Sequence, residues 1–124
     1  MPRRDAWMTG TMPDQFYISI TGLRLKGPLA APRFWWHALR SMAQARSAPG
    51  NISVDARNID GVQHTLTVWS DEAAMRAYLV AGAHMQAMRA FRSIATGKTI
   101  GFTSATVPTW VEARAIWEER GHEA

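Results

Sequence analysis

The stretch Thr65–Arg89, TLTVWSDEAAMRAYLVAGAHMQAMR, decides the fold. Its first residues, Thr65, Leu66, Thr67, Val68 and Trp69, alternate polar and apolar, the period of a strand with one buried face. Ser70 offers a hydroxyl to cap a helix. Asp71 and Glu72 then put negative charge on the first turn, where unpaired amides favour it. Strong helix formers follow, but their apolar positions do not stay in phase. Met75, Tyr78 and Leu79 form one cluster; His84, Met88, Phe91 and Ala95 form another. Gly82 lies between them and predicts a bend or a break into two helices.

Upstream, Asp60-Gly61 predicts a tight hairpin turn that joins Val62–Trp69 to an alternating strand over Asn51–Ile59. Pro32 to Arg46 reads as a helix opened by proline. Trp35, Leu39, Met42 and Ala43 share one side of it, with Trp36 at the margin, and His37, Arg40 and Gln44 share the other. Gln15 to Lys26 is the first strand. Its apolar parity switches at Gly22, which predicts a bulge there.

Downstream, Lys98 to Val107 is rich in β-branched and aromatic residues and reads as the fourth strand. Thr109-x-x-Glu112 is a capping box opening a last helix, in which Trp110, Ala113 and Trp117 share a face and which Gly121 closes. The order β-α-β-β-α-β plus a terminal helix predicts an α+β fold, a ferredoxin-like sandwich with an extra C-terminal helix. One domain spans residues 15–121, after a flexible, basic arm over residues 1–14 pinned by Trp7. Helices cover one face of such a sheet. Trp69, Tyr17 and Phe102 are expected to leave an apolar patch on the other, and a symmetric sheet-against-sheet homodimer would cover it.

The 124 residues suffice for one real core, and 47% apolar against 19% charged residues describe a globular chain. No cysteine is present, which excludes disulfides, thiolate metal sites and a cysteine nucleophile, and suits a cytoplasmic location. No apolar run reaches the ~20 residues that span a bilayer, so no membrane partner is expected. The basic N-terminal stretch lacks the apolar core of a secretory signal. A net charge of +4 fits either an arginine-rich solvated surface or an acidic partner.

His84 is the candidate catalytic residue. It falls in line with Met88 and Phe91, so its imidazole points toward the sheet, where partial desolvation keeps it neutral and available as a base. A structural histidine bonded to a backbone carbonyl would show the same pattern, because no second catalytic group stands beside it in the sequence. Trp69 ends a strand where clefts between sheet and helices open, and Tyr78, Met88 and Trp36 are placed to line the same cleft as substrate-binding residues. Arg89 and Arg92 are spaced to clamp a carboxylate at its rim or to form a solvated helix face. The four histidines lie on different elements without metal-ligand spacing, so no metal site is expected. No nucleophile elbow and no glycine-rich phosphate loop occurs.

The segment Val68-Trp69-Ser70-Asp71-Glu72, followed by Ala81-Gly82-Ala83-His84, resembles the small dimeric α/β-barrel proteins related to the antibiotic-biosynthesis monooxygenases. A more remote likeness, in the tryptophan-rich first helix and VWSDEAAMR, is to the spheroidene monooxygenase group. The first resemblance implies a homodimer with a cleft in each subunit. Some members oxidise phenolic or quinol-like aromatics with dioxygen and no cofactor; others bind and degrade haem. The histidine and tryptophan of the haem-degrading members would fall near Met88 and Tyr78, which do not match.

Three readings follow. The first is a monooxygenase-like protein acting on an aromatic or polyketide-like molecule without a bound cofactor. The second is a non-catalytic small-molecule or haem-binding module, with His84 as a possible axial ligand. The third, a distant one, is an RNA-binding domain. Phe16-Tyr17-Ile18-Ser19-Ile20 suits its first strand, but His64–Trp69 lacks the base-stacking signature of its third, so nucleic acid is not an expected partner.

Overall fold

The computed structural model describes residues 15–123, so the expected arm over residues 1–14 lies outside the described residues. Ten-residue β1 (Phe16–Leu25) is central and pairs antiparallel with β3 (Val62–Trp69) on one side and β4 (Ala95–Ser104) on the other. β2 (Asn51–Ile59) flanks β3, and the two-residue β5 (His122–Glu123) flanks β4. The sheet order is therefore β2-β3-β1-β4-β5. The helices are α1 (Ala31–Ser47), α2 (Glu72–Leu79), α3 (Gly82–Ile94) and α4 (Trp110–Arg120). The fold is α+β and ferredoxin-like, with the extra C-terminal helix expected from the sequence.

Several local expectations hold for the reasons given. Asp60 and Gly61 both take positive φ in the hairpin. The Thr109 and Glu112 side chains each accept from the other's backbone amide. The long helical stretch breaks before Gly82. The cap of α2 is Asp71 rather than Ser70: the Asp71 carboxylate accepts from the Ala74 amide at 2.8 Å. The fourth strand begins at Ala95 instead of Lys98 and ends at Ser104.

The largest departure concerns the two faces of the sheet. Ile18, Ile20, Val62, Leu66, Val68 and Ile100 project to one face and pack against Ala113 and Trp117 of α4. This is the main apolar core. Tyr17 and Trp69 project to the opposite face, where they meet Ala45, Met75 and Tyr78 from α1 and α2. The expected patch of Trp69, Tyr17 and Phe102 on the uncovered face therefore does not form. Only Phe102 lies on that face, and α4 covers it within a single chain. A second sheet approaching from this side meets α4.

Gly22 makes no bulge. The pairing of β1 with both neighbours runs through it without a shift, and the irregularity falls in β2 between Asn51 and Ser53. Gly22 instead makes room. A Cβ there would overlap the indole of Trp117 and approach His64 Cε1 to 2.9 Å. The indole fills the space, donating from Nε1 to the Lys98 carbonyl at 2.8 Å while the Lys98 ammonium sits 4.6 Å over the ring. Leu23 and Leu25 shift parity because they leave the α4 face, not because the strand kinks.

The apolar stripe of α1 also differs. Phe34, Ser41 and Ala45 are buried, whereas Trp36 and Leu39 are largely exposed. The large side chains suggest one inward face, but α3 packs on another, where Ser41 and Ala45 are small and Phe34 fills one end of the seam. α1 and α3 lie antiparallel, with Phe34 stacked on Phe91 and Gln44 accepting from the His84 amide. On α3 the buried positions are likewise small or aliphatic: Ala87, Ala90 and Ile94.

His64 is fully buried opposite Gly22, edge-on to Trp117 at 4.6 Å, and neither ring nitrogen has a hydrogen-bond partner of proper geometry among the described residues. Burial, and then the Arg114 guanidinium, push its pKa below the ordinary value; the Thr21 backbone and Glu118 pull weakly the other way.

Two predictions follow from this face. Trp117→Ala is expected to destabilise the protein by about 3–5 kcal/mol, and Gly22→Val by about 1–3 kcal/mol through overpacking. Both would lower the urea midpoint with an unchanged slope. Because the folded-state pKa of His64 is depressed, its contribution to stability is complete above the unperturbed 6.5 and is lost as pH falls below that value. Acidification from neutrality should therefore lower the melting temperature, and His64→Phe should flatten that dependence.

Candidate functional site

The hairpin and the α2 cap bring three of the expected side chains together. β3 ends at Trp69, whose indole Nε1 donates to the Thr67 hydroxyl at 2.9 Å inside the protein. α2 starts three residues later, so Tyr78, two turns on, returns over the same indole with ring centroids 5.2 Å apart. The break at Gly82 then folds α3 back and sets the His84 ring 4.5 Å from Tyr78. Trp69, Tyr78 and His84 form a continuous aromatic wall.

Each group on that wall is fixed by a polar contact. The Tyr78 hydroxyl donates to the Ser41 carbonyl at 3.1 Å, and the Ser41 hydroxyl lies 2.6 Å from the same phenol oxygen. Burial raises the Tyr78 pKa, and the Ser41 hydrogen bond only partly offsets it, so the phenol stays protonated at neutral pH. His84 Nδ1 lies 3.3 Å from the Leu79 carbonyl. A carbonyl only accepts, so this contact favours the tautomer with the proton on Nδ1 and leaves Nε2 as an acceptor. Burial lowers the His84 pKa, against a smaller opposing pull from Leu79. The ring is thus a neutral imidazole with its basic nitrogen unoccupied by any hydrogen-bond partner among the described residues. The carbonyl contact is the one a purely structural histidine makes, and it is equally what orients a base.

The other expected residues distribute differently. Met88 is half-buried one turn beyond His84. Trp36 is 62% exposed and stacks under the Arg40 guanidinium at 5.6 Å, on the outer side of α1. Arg89 is exposed on α3. Neither packs against the aromatic wall.

A set of residues escaped the sequence reading. Ser19, Thr21, Thr65, Thr67 and Thr99 share the face of Tyr17 and Trp69, by register and alternation, and so face the helices. An apolar core between sheet and helices would place Val, Ile or Leu here. The Thr21 and Thr99 hydroxyls lie 3.3 Å apart, and Thr99 also donates to the Ile20 carbonyl. Ser19, Thr21, Thr65 and Thr99 keep partial solvent access although β1, β3 and β4 are inner strands. Gly101 continues this row on β4, and the Tyr17 phenol lies over it. Inner-strand positions beneath a helical layer stay accessible when the two layers stand apart. The signal was present as small polar residues recurring at every second position of β1, β3 and β4. It reads as an ordinary solvent-facing row until the topology places helices over it.

Among the described residues there is no group of three or more His, Asp or Glu able to hold a metal ion. No helix among them is long and apolar enough to cross a membrane.

No protein-family model matches the chain, and no curated protein matches it in sequence. Solved structures do. SnoaB, a cofactor-independent oxygenase from Streptomyces nogalater, superimposes with a TM-score of 0.62 at 22% identity, covering 77% of this chain and 99% of that one. A Nitrosomonas europaea protein provisionally assigned as an antibiotic biosynthesis monooxygenase gives 0.63 at 11% identity, covering 77% and 91%. A similarly assigned Deinococcus radiodurans protein gives 0.62 at 16% identity, covering 69% and 89%. The chain therefore has the fold of the antibiotic-biosynthesis monooxygenases and resembles them along most of their length.

Proposed function

We propose that the protein is a small monooxygenase-like enzyme that oxidises an enolisable aromatic or polyketide-like molecule with dioxygen and without a bound cofactor. The observation that carries this reading is the accessible hydroxyl row of Ser19, Thr21, Thr65 and Thr99, bordered at one end by the Trp69–Tyr78–His84 wall. Such a lining suits a planar ligand with an apolar ring system and several oxygen substituents. The fold likeness to a cofactor-independent oxygenase supports the same class.

His84 removes a proton from the phenolic or enolic form of the substrate through Nε2, and the resulting anion is electron-rich enough to reduce dioxygen. Tyr78 stays protonated, and its one hydroxyl proton is engaged by the Ser41 carbonyl, so the residue holds the aromatic wall in place beside the substrate. For a ring methylene activated by a carbonyl, the balance closes on substrate and dioxygen alone. The methylene carbon becomes a carbonyl, one oxygen atom enters the product, and the other leaves as water with both methylene hydrogens. No external reductant is required. Met88 contributes a polarisable, adaptable contact beside the ring.

Haem is the alternative occupant. The positions at which haem-degrading proteins of this kind carry histidine and tryptophan fall near Met88 and Tyr78, so the donor set does not fit degradation. A homodimer remains part of the proposal. Its sheet-to-sheet form requires α4 to share or vacate the face it occupies.

The test is turnover of hydroxylated polycyclic aromatics under oxygen. His84→Ala is expected to lower kcat by about 10²–10⁴-fold, the usual contribution of a positioned base. The wild-type rate should fall on the acid side at a pH below the unperturbed histidine value of 6.5, because burial depresses the His84 pKa. Unchanged turnover in His84→Ala would overturn the mechanism. Hemin titration separates the alternative: a Soret band abolished by His84→Ala would favour the haem-binding module, and none is expected.

A further inference from the structure

The outer surface of α1 and α3 carries side chains that the fold does not use. Leu29 is 95% exposed, Trp36 62% and Leu39 59%. Leu29 stands in the short 3₁₀ turn Pro28–Ala30 that leads into α1, and on α1 Trp36 and Leu39 lie one turn apart on the outward side. This face is the reverse of the buried stripe of Phe34, Ser41 and Ala45. Trp36 and Leu39 were expected to take part in the core or the cleft, and their exposure leaves them without a structural role.

The charge around them is of one sign. Arg33, Arg40 and Arg46 of α1 are exposed, as are Arg89 and Arg92 of the neighbouring α3. No aspartate or glutamate occurs between Asp14 and Asp55, or between Glu72 and Glu112. α1 and α3 themselves therefore carry no acidic side chain; the acidic groups of that layer are Asp71 and Glu72 at the start of α2, where Asp71 caps the helix and Glu72 pairs with Arg76. The opposite side of the sheet is mixed: Glu112, Glu118 and Glu119 on α4 and Asp55 and Asp60 on the β2 hairpin stand among Arg57, Lys98, Arg114 and Arg120. The outer face of α1 and α3 is thus cationic among the described residues, and it bears the exposed Trp36 and Leu39.

We propose that this layer docks on an anionic lipid surface. Leu29, Trp36 and Leu39 enter the boundary between headgroups and acyl chains, and the flanking arginines meet lipid phosphates. Basic residues beside tryptophan and leucine on one helix face are the signature of a helix lying in the plane of a membrane interface. No helix among the described residues is long and apolar enough to cross a membrane. An interfacial helix needs no such segment. Single-stranded RNA shares the phosphate chemistry but fits less well: Leu29 and Leu39 offer no π-face, and Arg40 already covers Trp36. The proposal is independent of the chemistry assigned to His84.

The experiment is co-sedimentation of the full chain with phosphatidylcholine vesicles, with and without phosphatidylglycerol, together with tryptophan emission. Binding and a blue shift are expected only with the anionic vesicles, and both should weaken as salt rises. The double variant Trp36→Ser, Leu39→Ser is expected to lose about tenfold or more in vesicle affinity, and so is Arg33→Glu, Arg40→Glu. All four side chains are exposed, so unchanged melting temperatures verify that the variants fold. Equal binding by wild type and both variants, or no binding at all, would overturn the proposal. So would a patch-dependent shift with a single-stranded RNA oligonucleotide and none with vesicles, or a patch-dependent change from dimer to monomer in light scattering without vesicle binding.

Discussion

The seating of the Trp117 indole over Gly22 and against His64 is the contact on which the rest of the structure depends. It places the main apolar core between the sheet and α4. In a ferredoxin-like sandwich the layer between the sheet and its two crossover helices is the ordinary site of the core. Here Ile18, Ile20, Leu66, Val68 and Ile100 are buried from the other side. The helix-facing positions of the same strands are relieved of most of that duty. They can carry hydroxyls and glycine without loss of the hydrophobic burial that a domain of this size needs.

That division explains the character of the candidate site. A smaller apolar cluster of Ala45, Trp69, Met75 and Tyr17 holds one end of the helical layer to the sheet. Beyond it lie the serine and threonine side chains. The aromatic wall stands at the junction, half in the cluster and half in the polar region. Partial burial there keeps His84 neutral and Tyr78 protonated. A fully solvated imidazole would be partly charged near neutrality, and a fully enclosed one would have no access to a guest. The Leu79 and Ser41 backbone carbonyls orient both groups, so the site is set by chain geometry as much as by side chains.

Much of the architecture was legible because local signals agreed with it. The Asp60-Gly61 turn, the capping box at Thr109 and the break at Gly82 each need only neighbouring residues. The grouping of Trp69, Tyr78 and His84 was legible for a related reason: a strand end, a capped helix and a glycine break leave little freedom between them. What sequence periodicity could not resolve was which side of an element faces a neighbour. Trp35 and Leu39 look like core residues on α1, yet the close approach of α3 favours Phe34, Ser41 and Ala45. Gly22 looks like a bulge because the apolar parity changes there, yet the cause is an indole ninety-five positions further along the chain. The hydroxyl row was hidden for the same reason, since a strand's polar positions read as solvent-facing until helices are known to lie above them.

The position of α4 has a consequence for assembly. The surface that would join two copies sheet to sheet is the surface that stabilises one copy alone. Were two copies to join through it with the last helix displaced, the free energy of both intramolecular seats would subtract from the affinity between them. In such an assembly Gly22, through the room it leaves for the indole, would bear on the pairing of copies as well as on the fold of one. A change that loosens the indole would weaken the monomer once and favour that pairing twice over, because two seats are given up for each pair.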